Sequence, residues 1–315
     1  MIETVASVGL PIDEKLEIKK NRIVPLTPLT GREKRISVVT GTHGDELEGQ
    51  FVCYELSRRI KENIIHLKGI VDVYPALNPM GIDSITRGIP GFDLDMNRIF
   101  PGSEDGSMAE HIAAKIVSDI EGSAACVDIH ASNIFLTEVP QIRISEETAE
   151  TLVPLAKTMN IDLIWVHGAA TVLKSTLANS LNTIGTPTLV VEAGVGMRIT
   201  REYGTRITDG IFCLMKELGI WDGDTIEPKK PIVSSDPDEV SFLNAPVSGI
   251  FLPRVKHCDY VKEGDAVGDI VDPLRAEILD TMYAPSDGMV FTIREYPVVD
   301  EGSLIARILG GAEND

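Results

Sequence analysis

The chain has 315 residues, 43% of them hydrophobic and 24% charged, a composition suited to one large domain with room for a second, smaller unit. Its net charge of −19 argues against nucleic acid and anionic membrane surfaces as partners, because both require a basic face. The four cysteines, Cys53, Cys126, Cys213 and Cys258, form no CxxC pair and no disulfide framework, which fits a reducing compartment. No apolar stretch approaches the ~20 residues of a membrane span. The N-terminus, MIETVASVGLPIDEKLEIKK, has acidic residues where a signal peptide has a basic flank, so the expected location is the cytoplasm.

Residues 1–30 alternate loosely, as edge strands do. ISVV (36–39) then reads as a buried strand, and 46–61 carries Leu47, Phe51, Tyr54 and Ile60 at roughly helical spacing. IVDVYPAL (70–77) is a strand. Ser107 to Ile120 is a helix opened by a capping box, with Ser107 as cap and Glu110 three residues on. ACVDI (125–129), IDLIWV (161–166) and PTLVVE (187–192) are further strands. Helices are expected near 146–158, 175–184 and 203–218, with Gly185 and Gly219 placed to end the last two. Strands alternating with helices of this length imply a mostly parallel sheet covered on both faces.

After Trp221 the texture changes. The stretch 222–239 is rich in Pro, Asp and Ser and reads as a linker, centred on 226–239. It divides an α/β unit (1–225) from a small β unit (240–315). Within the latter, APVSGIF…VKEG (245–264) and APSDGMVF…VDEG (284–302) place Ala-Pro, a glycine, a β-rich run and a glycine turn at matching offsets, so one β unit occurs twice.

The chemistry concentrates at strand ends. GTHGDELEG (41–49) puts His43 and Glu46 in a glycine-lined turn directly after a strand, where open α/β sheets bind ligands. A catalytic zinc takes three protein ligands and keeps one open position, and a short ligand pair with one distant partner is a common way to build it. His130, directly after ACVDI, is the candidate third ligand, and His167, also after a strand, is the reserve. His111, inside the capped helix, reads as a surface residue. NPMGIDSITRG (78–88) supplies Arg87, and DLDMNRIFPG (93–102) supplies Asn97 and Arg98. A guanidinium can grip a carboxylate through two parallel hydrogen bonds or stabilise a developing oxyanion. VVEAGVG (190–196) ends an apolar strand on Glu192, a poorly solvated carboxylate that is either poised for proton transfer or spent on a cap or an ion pair.

GTHGDE, NP…R, DMNRIFPG, VDIH and VEAG, in that order over about residues 35–200, resemble the aspartoacylase and succinylglutamate desuccinylase family of zinc-dependent amidohydrolases, relatives of the zinc carboxypeptidases. The resemblance implies a zinc carboxypeptidase-like α/β fold, a mixed and mostly parallel sheet with helices on both faces, plus a small all-β C-terminal domain of biotinyl/lipoyl-like type. It implies one Zn2+ per chain on His43, Glu46 and His130. It gives Glu192 the role of general base and acid, Arg87 the polarisation of the scissile carbonyl, and Asn97 with Arg98 the grip on the substrate carboxylate. The implied substrate is a small N-acyl amino acid, cleaved to a carboxylate and a free amino acid. The acidic balance of the chain leaves room for a substrate with a positive side chain, such as an acylated diamino acid. A carboxypeptidase-type peptidase on short peptides and a zinc-holding scaffold without catalysis are the rival readings. A homo-oligomer is expected. DPLRAEILD (272–280) lacks the lysine that true carrier domains hold at this hairpin, so no attached cofactor is expected, and the β unit is expected at the active-site mouth or an oligomer contact. ASNIF (131–135) departs from the asparagine- and threonine-rich stretch of aspartoacylase itself, so N-acetylaspartate is not assigned.

Overall fold

In the computed structural model, which describes residues 1–92, 94–168 and 174–310, the elements run in chain order as follows. The first part holds β1 (Ile2–Gly9), β2 (Lys15–Ile23), β3 (Arg35–Thr40), α1 (Glu48–Glu62), β4 (Ile70–Tyr74), α2 (Pro79–Ser84), α3 (Met108–Ile120), β5 (Ala125–His130), β6 (Leu136–Ser145), α4 (Ala149–Ala156), β7 (Leu163–His167), α5 (Leu177–Thr183), β8 (Thr188–Gly194) and α6 (Arg201–Glu217). After β9 (Ile232–Ser234) and a short 3-10 turn at 237–239, the described residues hold strands only: β10 (Val240–Asn244), β11 (Gly249–Pro253), β12 (Tyr260–Val261), β13 (Ala266–Asp272), β14 (Glu277–Tyr283), β15 (Gly288–Arg294), β16 (Val298–Val299) and β17 (Leu304–Leu309). The last five residues of the expected β unit, 311–315, and Asp93 of the DLDMNR stretch lie outside the described residues.

Four parallel strands in the order β4-β3-β5-β8 form the centre of the main sheet. Their side chains are almost wholly buried, as expected for strands covered on both faces. The β1–β2 hairpin extends one edge antiparallel, and β6 continues the other edge, antiparallel to β8. One face carries α1, α4 and α6, which bury Leu56, Ile60, Leu152, Ile207 and Ile211 against the sheet. The opposite face carries α3 and α5, with Ile112, Ile116, Leu177 and Leu181. Ser107 and Glu110 make the predicted capping box in full.

Two local readings are corrected. Helix α1 begins at Glu48 rather than 46, because residues 43–47 form the turn that holds His43 and Glu46. Its buried stripe is Val52, Cys53, Leu56 and Ile60, while Tyr54 stands 62% exposed. Of the predicted apolar positions, Leu47 is the N-cap, outside the helix proper, and Ile60 is the one that the buried stripe shares. Strand β6, absent from the sequence reading, was masked by the charged residues Glu138 and Arg143 and by Pro140 in an otherwise β-rich run.

The C-terminal β unit is built from two quasi-repeats that exchange partners reciprocally. Strand β12 of the first repeat pairs β15 of the second, and β16 of the second pairs β11 of the first. At the two glycine turns, Gly264 N donates to Ala284 O at 2.9 Å and Gly302 N donates to Ala245 O at 2.8 Å. This unit does not hang from its linker. Strand β15 pairs antiparallel with β6, so the main sheet runs on through β15, β17 and β10. Among the described residues no helix is long and apolar enough to cross a membrane.

Candidate metal centre and active site

His43 and Glu46 sit in the turn that follows β3, and two glycines explain its course. Gly41 has φ +69°, a left-handed conformation that favours glycine. A Cβ on Gly44 would lie 2.0 Å from the carbonyl carbon of Gly81, so only glycine lets this turn rest on α2. Gly44 N donates to Thr86 O at 3.1 Å, which ties the ligand turn to the segment that carries Arg87.

His130 closes β5, one strand over from β3. The two carboxylate oxygens of Glu46 face the two histidines: His43 Nδ1 is 2.8 Å from Oε1, and His130 Nδ1 is 2.9 Å from Oε2. All three residues are buried, and their ligand atoms lie within 4.8 Å of one another. The outer ring nitrogens meet carboxylates too. His43 Nε2 is 2.9 Å from Asp95 Oδ1, and His130 Nε2 is 3.3 Å from Asp128 Oδ2. Two imidazoles and a carboxylate converge on one point, and a carboxylate stands behind each imidazole. This donor set fits a zinc ion with an outer shell that fixes the histidine tautomers. Burial alone would raise the Glu46 carboxyl, but His130 and His43 outweigh it and hold the group well below the usual range. Asp95 is pulled down the same way: burial raises it, but the hydrogen bond and charge of His43, the Asn97 amide and Arg87 together outweigh that.

Asp95 and Asp128 were not singled out from the sequence. The signal was present in the spacing: Asp128 is two residues before His130 on the same strand face, and Asp95 is two residues before Asn97 in the DMNR stretch.

Arg87 reaches the same cluster, with Nη1 2.9 Å from Glu46 Oε1 and Nε 3.5 Å from Asp95 Oδ2. Asn97 Oδ1 accepts from Leu177 N at 2.9 Å, which fixes the asparagine to the start of α5. Arg98 stands 42% exposed, with Nη1 donating to Asn97 O. All three line one cavity of about 770 Å3 together with His43, Glu46, His130 and Glu192. The seven predicted site residues therefore share one cavity.

Glu192 lies directly across from His130 in the β5–β8 ladder. Burial pushes its carboxyl up to about 7, against the pull of Arg143 and His130 and with the push of Glu138 and Glu46. Arg143 Nη1 is 3.4 Å from Glu192 Oε1. Beyond Glu192 the cavity continues past Arg143, Glu138, His167 and Arg307. His167 is thus on the far side of Glu192 from the ligand cluster and does not join it. Burial and the guanidinium groups of Arg143 and Arg307 push it down to about 4, so it is neutral near pH 7. His111 sits partly exposed on α3, with Nδ1 3.0 Å from Glu104 O.

Residues 32–218 match the family described as "Succinylglutamate desuccinylase/Aspartoacylase catalytic domain". The chain is 26% identical over 301 residues to the N-alpha-acetyl-L-2,4-diaminobutyric acid deacetylase of Halomonas elongata, covering 91% of this chain and 85% of that relative. Among solved structures, the succinylglutamate desuccinylase/aspartoacylase of Rhodobacter sphaeroides superposes with a TM-score of 0.80 at 22% identity, covering 98% of this chain and 95% of the other. The product-bound ectoine utilization protein EutE (DoeB) of Ruegeria pomeroyi superposes with a TM-score of 0.81 at 18% identity, covering 98% and 94%. These structural likenesses extend through the C-terminal β unit.

Proposed function

The chain belongs to the succinylglutamate desuccinylase/aspartoacylase family, and on that premise we propose that it is a zinc-dependent deacylase that cleaves the amide bond of a small N-acyl amino acid. The observation that carries the reading is the placement of Glu192 beside the His43–Glu46–His130 cluster in one cavity with Arg87, Asn97 and Arg98. A scaffold that merely held a metal would have no use for a protonatable carboxylate at that position.

His43, Glu46 and His130 would hold one zinc ion, and zinc there supplies Lewis acidity that polarises a carbonyl and makes water more acidic. Glu192 takes a proton from the attacking water and passes it to the departing amine. A carboxyl pushed up to about 7 suits both halves of that task near neutral pH. Arg87, at the rim of the cluster, offers its guanidinium to the oxygen on which charge develops. Arg98 and Asn97 grip the carboxylate of the amino acid part and so fix which amide faces Glu192. The name of the Halomonas relative makes an N-acetylated diamino acid the first substrate to try.

The test is release of free amine from a panel of N-acyl amino acids and dipeptides, with and without a chelator, with Glu192→Gln as the blank. Chelator-sensitive release from acyl amino acids is expected, absent in the blank. Release from dipeptides alone would make the protein a peptidase. Release that survives full metal removal would overturn the zinc assignment.

A further inference from the structure

The cavity does not end in the domain that carries the family motifs. Its far wall includes Arg307, on β17 of the C-terminal β unit. Three strands bring it there in register: Arg307 pairs Thr292 on β15, and Thr292 pairs Glu138 on β6. Thr292 is small and fully buried, so the long Arg307 side chain passes over it and reaches the second strand. Arg307 Nη1 donates to Glu138 Oε1 at 2.6 Å. Glu138 is 1% exposed and also accepts from Arg143 Nη2, at 2.9 Å on Oε1 and 2.8 Å on Oε2. The other terminal nitrogen of Arg143 then faces Glu192 at 3.4 Å. Both guanidiniums lie over the ring of Trp165, with Cζ 5.9 Å (Arg143) and 5.5 Å (Arg307) from its centroid, and Arg307 is also 5.8 Å from the Phe242 ring.

We propose that Arg307 is a positioning residue of the active site: by clamping Glu138 it holds Arg143 against Glu192, so the C-terminal β unit sets the geometry of the proton carrier. The inference rests on the reading of Glu192 as that carrier. The physical reason is charge balance in a buried place. Glu138 has two guanidinium partners. Without Arg307 the carboxylate keeps one partner and gains freedom to turn, and Arg143 loses the fixed carboxylate that aims its second nitrogen. A misplacement of the order of 1 Å at a reacting group can lower turnover by roughly 100-fold.

The experiment uses the full chain loaded with zinc. Arg307→Ala, Arg307→Met and Arg307→Lys are compared with the unaltered enzyme, with Arg254→Ala as a control. Arg254 pairs with Asp269 at 2.8 Å in the same β unit and does not line the cavity. Arg307→Ala is expected to lower kcat by about 10- to 100-fold, with KM within about threefold. Zinc content and melting temperature should stay close to those of the Arg254→Ala control. Millimolar guanidinium should restore part of the activity of Arg307→Ala and none of Arg307→Met, whose side chain fills the space. A crystal structure of Arg307→Ala should show the Arg143 guanidinium displaced from Glu192. Unchanged kcat, or Arg143 still in place in the variant crystal, overturns the proposal. If the unaltered enzyme turns over no acyl amino acid at all, the deacylase reading falls, and the position of Arg143 in the variant crystal alone decides whether Arg307 is a clamp.

Discussion

The cavity has two halves built in different ways. On the metal side, His43, Glu46 and His130 come from the ends of β3 and β5, adjacent parallel strands whose register places those ends together. On the far side, Glu138, Arg143 and Arg307 come from β6 and β17, with β15 between them, a sheet edge assembled from segments about 170 residues apart, as the separation of 169 between Glu138 and Arg307 shows. The first half is a local solution: a turn of five residues supplies two candidate ligands, and a neighbouring strand end supplies the third. The second exists only after the C-terminal unit has docked on the main sheet. The difference teaches that the same cavity can have one wall written in short motifs and another written in long-range pairing.

The two halves meet at Glu192, and the largest expected effect lies there. Glu192→Gln should lower turnover by roughly 10²- to 10⁴-fold while zinc content, read by elemental analysis, stays at one per chain. Retained turnover would separate the halves altogether and assign proton transfer elsewhere. The next test is confined to the metal side. Asp95→Ala removes the carboxylate behind His43 Nε2 and should weaken zinc binding by about 10- to 100-fold in competition with a chelator. Unaltered zinc affinity would mean that His43 is held by packing alone. Arg98→Ala should act more weakly and on binding: KM rises, by about tenfold for a lost interaction of ~1.4 kcal/mol, with kcat nearly unchanged. A pure kcat loss would move Arg98 from holding substrate to the chemistry.

The last effect falls on stability rather than turnover and contrasts two glutamates two residues apart. Glu46 is held low by its histidines, whereas burial pushes Glu48 up to about 7 from its ordinary 4.5, although Thr200 N donates to it at 2.8 Å. Between pH 4.5 and about 7 the folded protein therefore favours a proton on Glu48 that the unfolded chain releases. The stability tied to that proton is complete below pH 4.5 and is lost as pH rises through 7, an amount bounded by roughly 3 kcal/mol at 1.36 kcal/mol per unit. Glu48→Gln should flatten the fall in melting temperature between pH 5 and about 8. An unchanged pH profile would show that water reaches this carboxylate.

Legibility followed the same division. HxxE and the VDIH histidine stood out because each sits in a short, glycine- or strand-bounded stretch at a strand end, whereas Arg87, the Asn97–Arg98 pair and Glu192 each had an ordinary structural alternative and took their expected roles from the order of the motifs. Asp95 and Asp128 passed unnoticed, although their spacing to Asn97 and His130 was in view, because which histidine an aspartate backs is set by strands and loops distant in sequence. Glu138 and Arg143 were hidden by their own charge, which made β6 look unlike a strand. His167 looked like a ligand because it ends a strand, yet β7 lies beyond β6, away from the β3–β5 pair where the ligands meet.

The sequence by itself determined the parts whose physics is local. These are the strands and helices set by apolar period, the caps, the glycine turn that brings His43 and Glu46 together, and the doubled β unit with its reciprocal glycine turns. Tertiary structure alone decided what depends on which strands lie side by side: that Glu192 stands next to His130, that β15 extends the main sheet through β6, and that Arg307 on β17 reaches the carboxylate of Glu138. Strand order is fixed by the closing of long loops against the gain of burying two sheet faces at once, and no short window of residues carries that sum.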